Sequence, residues 1–442
     1  MLFWENILRG IIGLITLFGI AFLLSNNKRS INWKLVFYGF ILQLAIALGI
    51  RYIPFIGSTF SYIANGFVKV VNLGKEGAAF VFGPSLLDAS QSWGFIFAVQ
   101  ALPNIIFFAA LSALLYYFGI LQKIVFVFAW VLSKIGVSGP ESVSAAANVF
   151  MGQTEAPLLA KPYIPKMNRS ELLCIMIGGM ATTAGAVLAT YVGMLGGNDV
   201  AQQQFFALQL LTASVMAAPA TIVVAKILYP DPDKKLAGKN LEISKEKIGS
   251  NVLDAVSNGT IDGLKLAVNV GAMLIAFIAL MAVVNALLGY LGGFNNIFGW
   301  HFTSLNESIN AATAGKYTSL SLQFLLGYIF SPIAWLIGVQ SSDITLFGQL
   351  LGEKTILNEF VAYGSLGAMK NAGVFASQKT VLMASFALCG FANFASIGIQ
   401  IGGIGAIAPE QKRNLSELGF KALLGGTLVS LINACIAGAL YG

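Results

Sequence analysis

Apolar runs of about twenty residues recur along the chain, each ended by a short polar or basic stretch. They fall at 6–25, 33–51, 97–119, 171–194, 203–228, 262–292, 377–404 and 416–441. A helix needs about 20 apolar residues to cross a bilayer, so the pattern predicts eight transmembrane helices. Two further regions, 120–170 and 318–376, are apolar but interrupted by Gly, Pro and acidic residues. Non-helical backbone at membrane depth is tolerated only where protein or a cavity covers it. These regions therefore read as two re-entrant helical hairpins. Residues 52–96 and 120–137 read as interfacial helices, with Trp93 and Trp130 as anchors.

Composition agrees with this pattern. The 442 residues are 57% hydrophobic and only 10% charged, with a mean hydropathy of +0.79. A soluble domain carries about 25% charged residues, and a disordered chain needs still more charge and less apolar surface. The chain is thus expected to be an all-α polytopic membrane protein. Its 26 Lys+Arg against 19 Asp+Glu give a net charge of +7. That excess suits membrane orientation and does not mark a nucleic-acid binder. Lys28, Arg29 and Lys34, then Lys161, Lys166 and Arg169, then Lys234, Lys235, Lys239, Lys245 and Lys247, then Lys412 and Arg413 all fall on one face of an eight-span arrangement. The positive-inside rule makes that face cytoplasmic and places both termini outside. The stretch Tyr229-Pro230-Asp231-Pro232-Asp233 stops the fifth run and opens the long polar loop. Asn26-Asn27-Lys28-Arg29 after the first run is no small-residue cleavage site, so that run reads as a retained span.

Other chemistry has little material. Cys174, Cys389 and Cys435 are isolated in apolar stretches, and His301 is the single histidine. Zinc catalysis and a Ser-His-Asp triad lack their residues.

The two halves share one plan: a long span, an interfacial stretch, an interrupted segment with a glutamate at membrane depth, a broken span, and a final span. The first half passes through Glu155 and the Thr182-Thr183-Ala184-Gly185 break; the second passes through Glu359 and the Phe391-Ala392-Asn393 break. Corresponding elements start on opposite faces, which is the inverted-repeat pattern of secondary transporters, with a site near the midplane. The domain reading follows: 1–119 as N-terminal scaffold spans and interfacial helix, 120–228 as a first transport-domain repeat, 229–317 as cytoplasmic loop, scaffold span six and outer loop, and 318–442 as the second repeat.

Four clusters carry candidate chemistry. In Gly152-Gln153-Thr154-Glu155-Ala156-Pro157, helix breakers stand beside a carboxylate. Such a charge costs roughly 2.5–3.5 kcal/mol or more at the bilayer centre, so a ligand, ion or partner must offset it. Asn358-Glu359 places an amide and two acceptor oxygens at one turn, whereas Glu353 and Lys354 are expected to face solvent or a loop; Asp343 is left unassigned. Asn393 and Ser396 are three apart and share a helix face, with Phe391 nearby. They suit a sugar and a planar base, and equally suit interhelical hydrogen bonding. Asn148, the Met151 carbonyl, Thr182 and Thr183 form a candidate oxygen set for a hard cation, or back-bond to their own helices. Gly402-Gly403-Ile404-Gly405 follows no strand and lacks a P-loop lysine, so it reads as helix packing.

At these residues the chain resembles the concentrative nucleoside transporter family. Gly152-Gln153-Thr154-Glu155-Ala156 and Gly352-x-Lys354-x-x-x-Asn358-Glu359-Phe360-Val361-Ala362-Tyr363 are similar to its two signature motifs, and Ala217-Ala218-Pro219-Ala220-Thr221 with Lys226-Ile227-Leu228-Tyr229-Pro230 also look familial. The resemblance spans nearly the whole chain and matches the short bacterial form. It implies a homotrimer in the inner membrane, with a mobile transport part in each protomer. By motif match, Gln153, Thr154 and Glu155 would face the nucleobase, with Val187 and Phe391 packed on it. Glu359, Asn393 and Ser396 would hold the ribose hydroxyls. Asn148, Met151, Thr182 and Thr183 would form a sodium site, with Na+ the coupling ion and Thr182 standing where a serine is familiar.

The leading expectation is thus a sodium-coupled nucleoside importer. Two alternatives are a proton-coupled nucleoside symporter and a membrane-embedded enzyme using Glu155 and Glu359 as an acid/base pair. The second has no nucleophile, metal set or cofactor motif beside its carboxylates, and proton-coupled relatives depart from Gln-Thr-Glu-Ala in the first motif.

Overall fold

Where water is absent, a backbone can satisfy its own N–H and C=O groups only by folding into helix or a closed barrel, and this chain folds as helix. The computed structural model describes residues 2–88, 91–93, 96–230, 249–297, 300–301 and 303–441. Seven helices among the described residues are long and apolar enough to cross a membrane: Trp4–Leu23, Trp33–Tyr52, Phe97–Tyr117, Arg169–Gly196, Val200–Leu228, Val252–Gly292 and Pro409–Leu440. They coincide with seven of the expected spans. The expected run 377–404 is present as two half-helices, Gln378–Leu388 and Phe394–Ile407, parted at Cys389–Asn393. We number these eight elements as spans one to eight. A two-residue antiparallel ladder, Asn296–Ile297 with Trp300–His301, departs from helix. The lysines from Lys234 to Lys247, with Asp231, Pro232 and Asp233, lie outside the described residues.

Three boundaries differ from the sequence reading. The sixth span starts at Val252, ten residues early, because Asn251 caps it by accepting from Asp254 N at 3.0 Å. Its 41 residues extend roughly 60 Å at 1.5 Å per residue, well beyond the bilayer core. The region 318–376 divides into a separate helix, Leu322–Leu336, and a hairpin of Ile344–Ile356 and Glu359–Asn371. The region 52–96 is mostly one 29-residue helix, Pro54–Phe82, whose buried residues Ala64, Val68, Val71, Gly74 and Ala78 recur on one face.

The order of elements repeats. Helix Ile120–Ser133, hairpin 1 (Gly139–Ala147 and Ala156–Leu159), the broken fourth span (Arg169–Ala181 and Gly185–Gly196) and the unbroken fifth span come first. Helix Leu322–Leu336, hairpin 2, the broken seventh span and the unbroken eighth span follow in the same sequence. Burial separates two populations. Spans four and five are 94% buried within the protein, whereas span six is 17% and span one 28% buried. Spans three and six pack through small residues: a Cβ on Gly263 would stand 2.7 Å from Ala109 Cβ, so the backbones approach as small-xxx-small pairs do.

Two buried polar bridges pin the core. Gln43 Nε2 donates to Asn433 Oδ1 at 2.7 Å, and Asn433 Nδ2 donates to the Ala213 carbonyl at 3.1 Å, joining spans two, eight and five. At the start of hairpin 1, Ser138 and Glu141 form a capping box. Glu141 also meets Lys226 of span five at 2.5 Å, and Lys226 donates to Ser170 Oγ at 3.0 Å. Glu141 is fully buried and Lys226 nearly so.

The two broken spans meet at their breaks. Gly390 has φ +123°, which favours glycine, and a Cβ there would lie 2.7 Å from the Met180 carbonyl oxygen. Gly390→Ala is therefore expected to destabilise the protein by about 1–3 kcal/mol from strain and overpacking, read as a lower thermal midpoint by fluorescence-detected gel filtration. Lys226→Met should be worse, at about 3–5 kcal/mol, because it strands a buried carboxylate. Lys226→Met/Glu141→Met should recover most of that loss; no recovery would mean the pair does not hold hairpin 1 to span five.

Candidate functional site

Hairpin 1 reaches depth because its first arm is small. Ser142 to Ala147 are all buried, with nothing larger than valine. The helix ends at Asn148, and tight turns carry the chain to Gly152, whose carbonyl accepts from Glu155 N at 3.1 Å and Ala156 N at 3.0 Å. Gln153 is buried; its Nε2 donates to Ser396 Oγ at 3.2 Å, while its Oε1 has no protein partner among the described residues. Thr154 lies with its methyl against Gly403 of span seven. The Glu155 carboxylate folds back over the turn, accepting from Gly152 N at 3.4 Å. Glu155 is exposed.

The seventh span breaks where Gly390 turns the chain, and Asn393 then caps the second half by accepting from Ser396 N at 2.9 Å. Asn393 Nδ2 donates to Glu359 Oε2 at 2.7 Å. Glu359 is the first residue of the second arm of hairpin 2, capped by Asn358. A helix N-terminus favours the anion there. A chain of polar contacts thus runs from Gln153 through Ser396 and Asn393 to Glu359, linking hairpin 1, the seventh-span break and hairpin 2. Phe391 lies in that break, mostly buried. Val187 lies buried in the first turn after the fourth-span break.

The candidate cation residues divide between two facing elements. Asn148 is 1% exposed, and neither its Oδ1 nor its Nδ2 has a protein partner among the described residues. It stands against span four: a Cβ on Gly178 would lie 2.8 Å from its Nδ2. Gly185 N donates to the Phe150 carbonyl at 3.2 Å, tying the hairpin turn to the break. Thr182 Oγ1 donates to the Gly178 carbonyl at 2.8 Å, the back-bonding arrangement, which keeps its lone pairs for other contacts. Thr183 turns its hydroxyl to Cys389 Sγ at 3.8 Å, so its side chain faces span seven. Met151 follows the turn, its N–H donating to the Ala147 carbonyl at 2.9 Å. Asn148 and Thr182 thus both meet span four at Gly178, whereas the Thr183 hydroxyl faces span seven; side-chain oxygens of this type suit a hard monovalent cation.

Several residues depart from the sequence reading or escaped it. Lys354 and Glu353 do not face solvent; they are 2% and 1% exposed. Lys354 Nζ donates to the Ala387 carbonyl at 2.8 Å and to Ser430 Oγ at 3.3 Å, filling the orphaned end of the first half of span seven. Glu353 Oε1 accepts from Gln349 Nε2 at 2.9 Å. Asp343 accepts from Ala376 N, Ser377 N and Thr380 Oγ1, the last at 2.7 Å, and so fastens hairpin 2 to the start of span seven. Tyr191 was not singled out. Its ring stacks on Tyr363 at 4.0 Å, and its buried hydroxyl, near Glu359, makes no hydrogen bond among the described residues. The available signal was its spacing, one helical turn after Val187 on the same face.

Similarity to known proteins agrees with this geometry. Residues 209–438 match the family model described as Na+ dependent nucleoside transporter C-terminus, 12–85 the corresponding N-terminus, and 98–198 a model described as Nucleoside recognition. An uncharacterized transporter of Haemophilus influenzae is 41% identical over 441 residues, covering 99% of this chain and 98% of that protein. The nucleoside permease NupC of Helicobacter pylori is 37% identical over 438 residues, covering 98% and 97%. Among solved structures, CNTnw in an inward-facing substrate-bound state superposes with a TM-score of 0.85 at 37% identity, covering 98% of this chain and 99% of that one. The chain therefore belongs to the Na+ dependent nucleoside transporter family.

Proposed function

We propose that this protein imports nucleosides across the plasma membrane by coupling their uptake to the sodium gradient. One observation carries the reading: the contacts Gln153–Ser396 and Asn393–Glu359 bring both hairpins to one break of a broken span, at 3.2 and 2.7 Å. Broken helices meeting at the midplane are where secondary transporters bind their cargo. Gln153 and Glu155, with Thr154 behind them, would read the edge of the base, and Val187 and Phe391 would cover its face. Glu359, Asn393 and Ser396 would accept and donate to the ribose hydroxyls, with Tyr191 beside them. The orphaned Gln153 Oε1 supports a polar ligand at this point.

Sodium is co-transported cargo in this scheme. Asn148, Met151, Thr182 and Thr183 would hold it between hairpin 1 and the fourth-span break. Hairpin 1 also bears Gln153 and Glu155, so ordering its turn prepares the base contacts. The two cargoes then bind cooperatively, and the coupling is reciprocal.

The burial contrast supports a moving part and a fixed part. Spans four, five, seven and eight with both hairpins would form the transport domain. Spans one, two, three and six would form the scaffold, and the long, barely buried span six would supply contacts to two further copies in a trimer. Transport would be a displacement of the first part past the second.

Proteoliposomes give the direct test. Intact nucleoside should accumulate against its gradient when sodium is outside; a chemically altered product, or no accumulation, would overturn the reading. A proton gradient that replaces sodium fully would leave the nucleoside site and remove the cation assignment.

Two substitutions separate the cargoes. Glu359→Gln keeps shape and removes charge from bonds worth roughly 1.5–3 kcal/mol each. Uridine affinity by calorimetry should fall roughly 10- to 100-fold, and a parent-like affinity would remove Glu359 as ribose anchor. Asn148→Ala touches no proposed nucleoside contact. It should raise the sodium concentration for half-maximal uptake, with nucleoside affinity partly restored at saturating sodium. Uptake over a sodium titration at several uridine concentrations checks this; unchanged sodium dependence would place the cation elsewhere.

A further inference from the structure

Lys28, Arg29 and Lys34 begin the second span, as the positive-inside rule requires of a cytoplasmic end. That rule gives no reason for cations at the opposite end, yet Arg51 and Lys379 stand there together. They line a cavity of about 390 Å³ between spans two, five and seven, with Gln209 and Gln378 as further polar groups and Phe205 and Leu382 on its apolar side. Gln209 is 4% exposed, and its Oε1 has no protein partner among the described residues. Which amide atom faces the cavity is set by the ligand, since a carboxamide can turn over. Lys379 Nζ donates to Asn6 Oδ1 at 2.6 Å. Of the neighbouring charges on span one, Arg9 adds to the positive field and Glu5 opposes it.

A second feature runs into this end. Phe37, Phe40, Leu44 and Leu48 form one face of span two and line a groove of about 900 Å³ with spans one and eight. No charged side chain lines it. Arg51 is the next position on that face, three residues beyond Leu48. On span one, Ile7 lines the groove, and its neighbour Asn6 holds Lys379. The apolar groove and the cationic cavity share no lining residue but lie close together along span two, where Leu48 lines one and Arg51 the other.

We propose that this junction binds an anionic phospholipid, its phosphodiester held by Arg51 and Lys379 and an acyl chain lying in the groove. A guanidinium has five donors, so Arg51 can bind the phosphate and keep its existing contact within the protein. Lys379 adds a point charge, and the Gln209 amide, turned to present its N–H2, donates to a remaining phosphate oxygen. The chemistry is that of other basic pockets between transmembrane helices that bind lipid headgroups. The cavity joins span two to spans five and seven. The bound lipid would therefore favour the arrangement in which Arg51 and Lys379 face one cavity.

The test uses the full-length protein, delipidated in a neutral detergent. Thermal unfolding is followed while dioleoyl phosphatidylglycerol, dioleoyl phosphatidylcholine or glycerol phosphate is added. Phosphatidylglycerol should raise the midpoint in a saturable way, as a ligand of the native state does, whereas the other two should not. Arg51→Gln/Lys379→Gln should weaken the apparent affinity at least tenfold, and Lys379→Arg should keep it. Gln209→Leu provides a second, uncharged probe with a smaller loss. An equal response to phosphatidylcholine would mean only the groove is occupied. An equal response to glycerol phosphate would mean a soluble anion is the ligand. A phosphatidylglycerol response unchanged in both the double variant and Gln209→Leu would place the lipid elsewhere. Each of these three results overturns the proposal.

Discussion

Every freed backbone group at membrane depth must find a partner, and that constraint organises this molecule. The chain interrupts helix four times near the site: at the turns of the two hairpins and in spans four and seven. Each interruption liberates amides at one half-helix and carbonyls at the other. The liberated groups are met partly within the same element and partly by another interrupted one. Asn393 and Asn358 cap the half-helices that follow their breaks. Lys354, from hairpin 2, covers the carbonyls ending the first half of span seven. Phe150, in hairpin 1, accepts from Gly185 at the fourth-span break. Hairpin 2 is thus tied to the seventh-span break, and hairpin 1 to the fourth-span break.

That mutual dependence explains where charge is allowed. Glu141 and Lys226 face each other at 2.5 Å, with Ser138 and Ser170 completing their partners. Desolvating a lone ion costs several kcal/mol, so each needs the other. Glu359 is met by the Asn393 amide and by a helix N-terminus. Asn148 differs: its buried amide has no protein partner among the described residues.

Sequence patterning made the architecture legible because the bilayer imposes a length on every span. Runs of about 20 apolar residues can be read without knowing their neighbours, and the breaks announce themselves by Gly, Pro and polar residues inside such runs. Identifying what meets those breaks was harder. Lys354 and Glu353 look solvated because a sequence shows their charge and not the carbonyls of Ala387 that one of them caps. Tyr191 looks like one more apolar position until its ring is found against Tyr363 of hairpin 2. Asp343 binds amides 33 and 34 residues away. Local period reveals which segments are helical; it carries no information about partners from distant segments. Motif resemblance supplied the grouping that period could not, by bringing Gln153, Glu359 and Asn393 into one expectation.

On the proposed assignment of the two sites, the same constraint would make the two cargoes depend on each other. Asn148 and Gln153 are five residues apart on one turn, and between them lies Phe150, whose carbonyl fastens that turn to the fourth-span break. Gln153 in turn reaches Ser396 on span seven. The hairpin turn is therefore shared: one side of it faces span four, the other span seven. A ligand holding the first side restricts the conformations open to the second, since so short a segment has few independent torsions. Coupling of this kind needs no long pathway through the protein, only a turn too short to be ordered in halves. Free energy spent in ordering it for one cargo need not be spent again for the other, which is the physical content of cooperative binding.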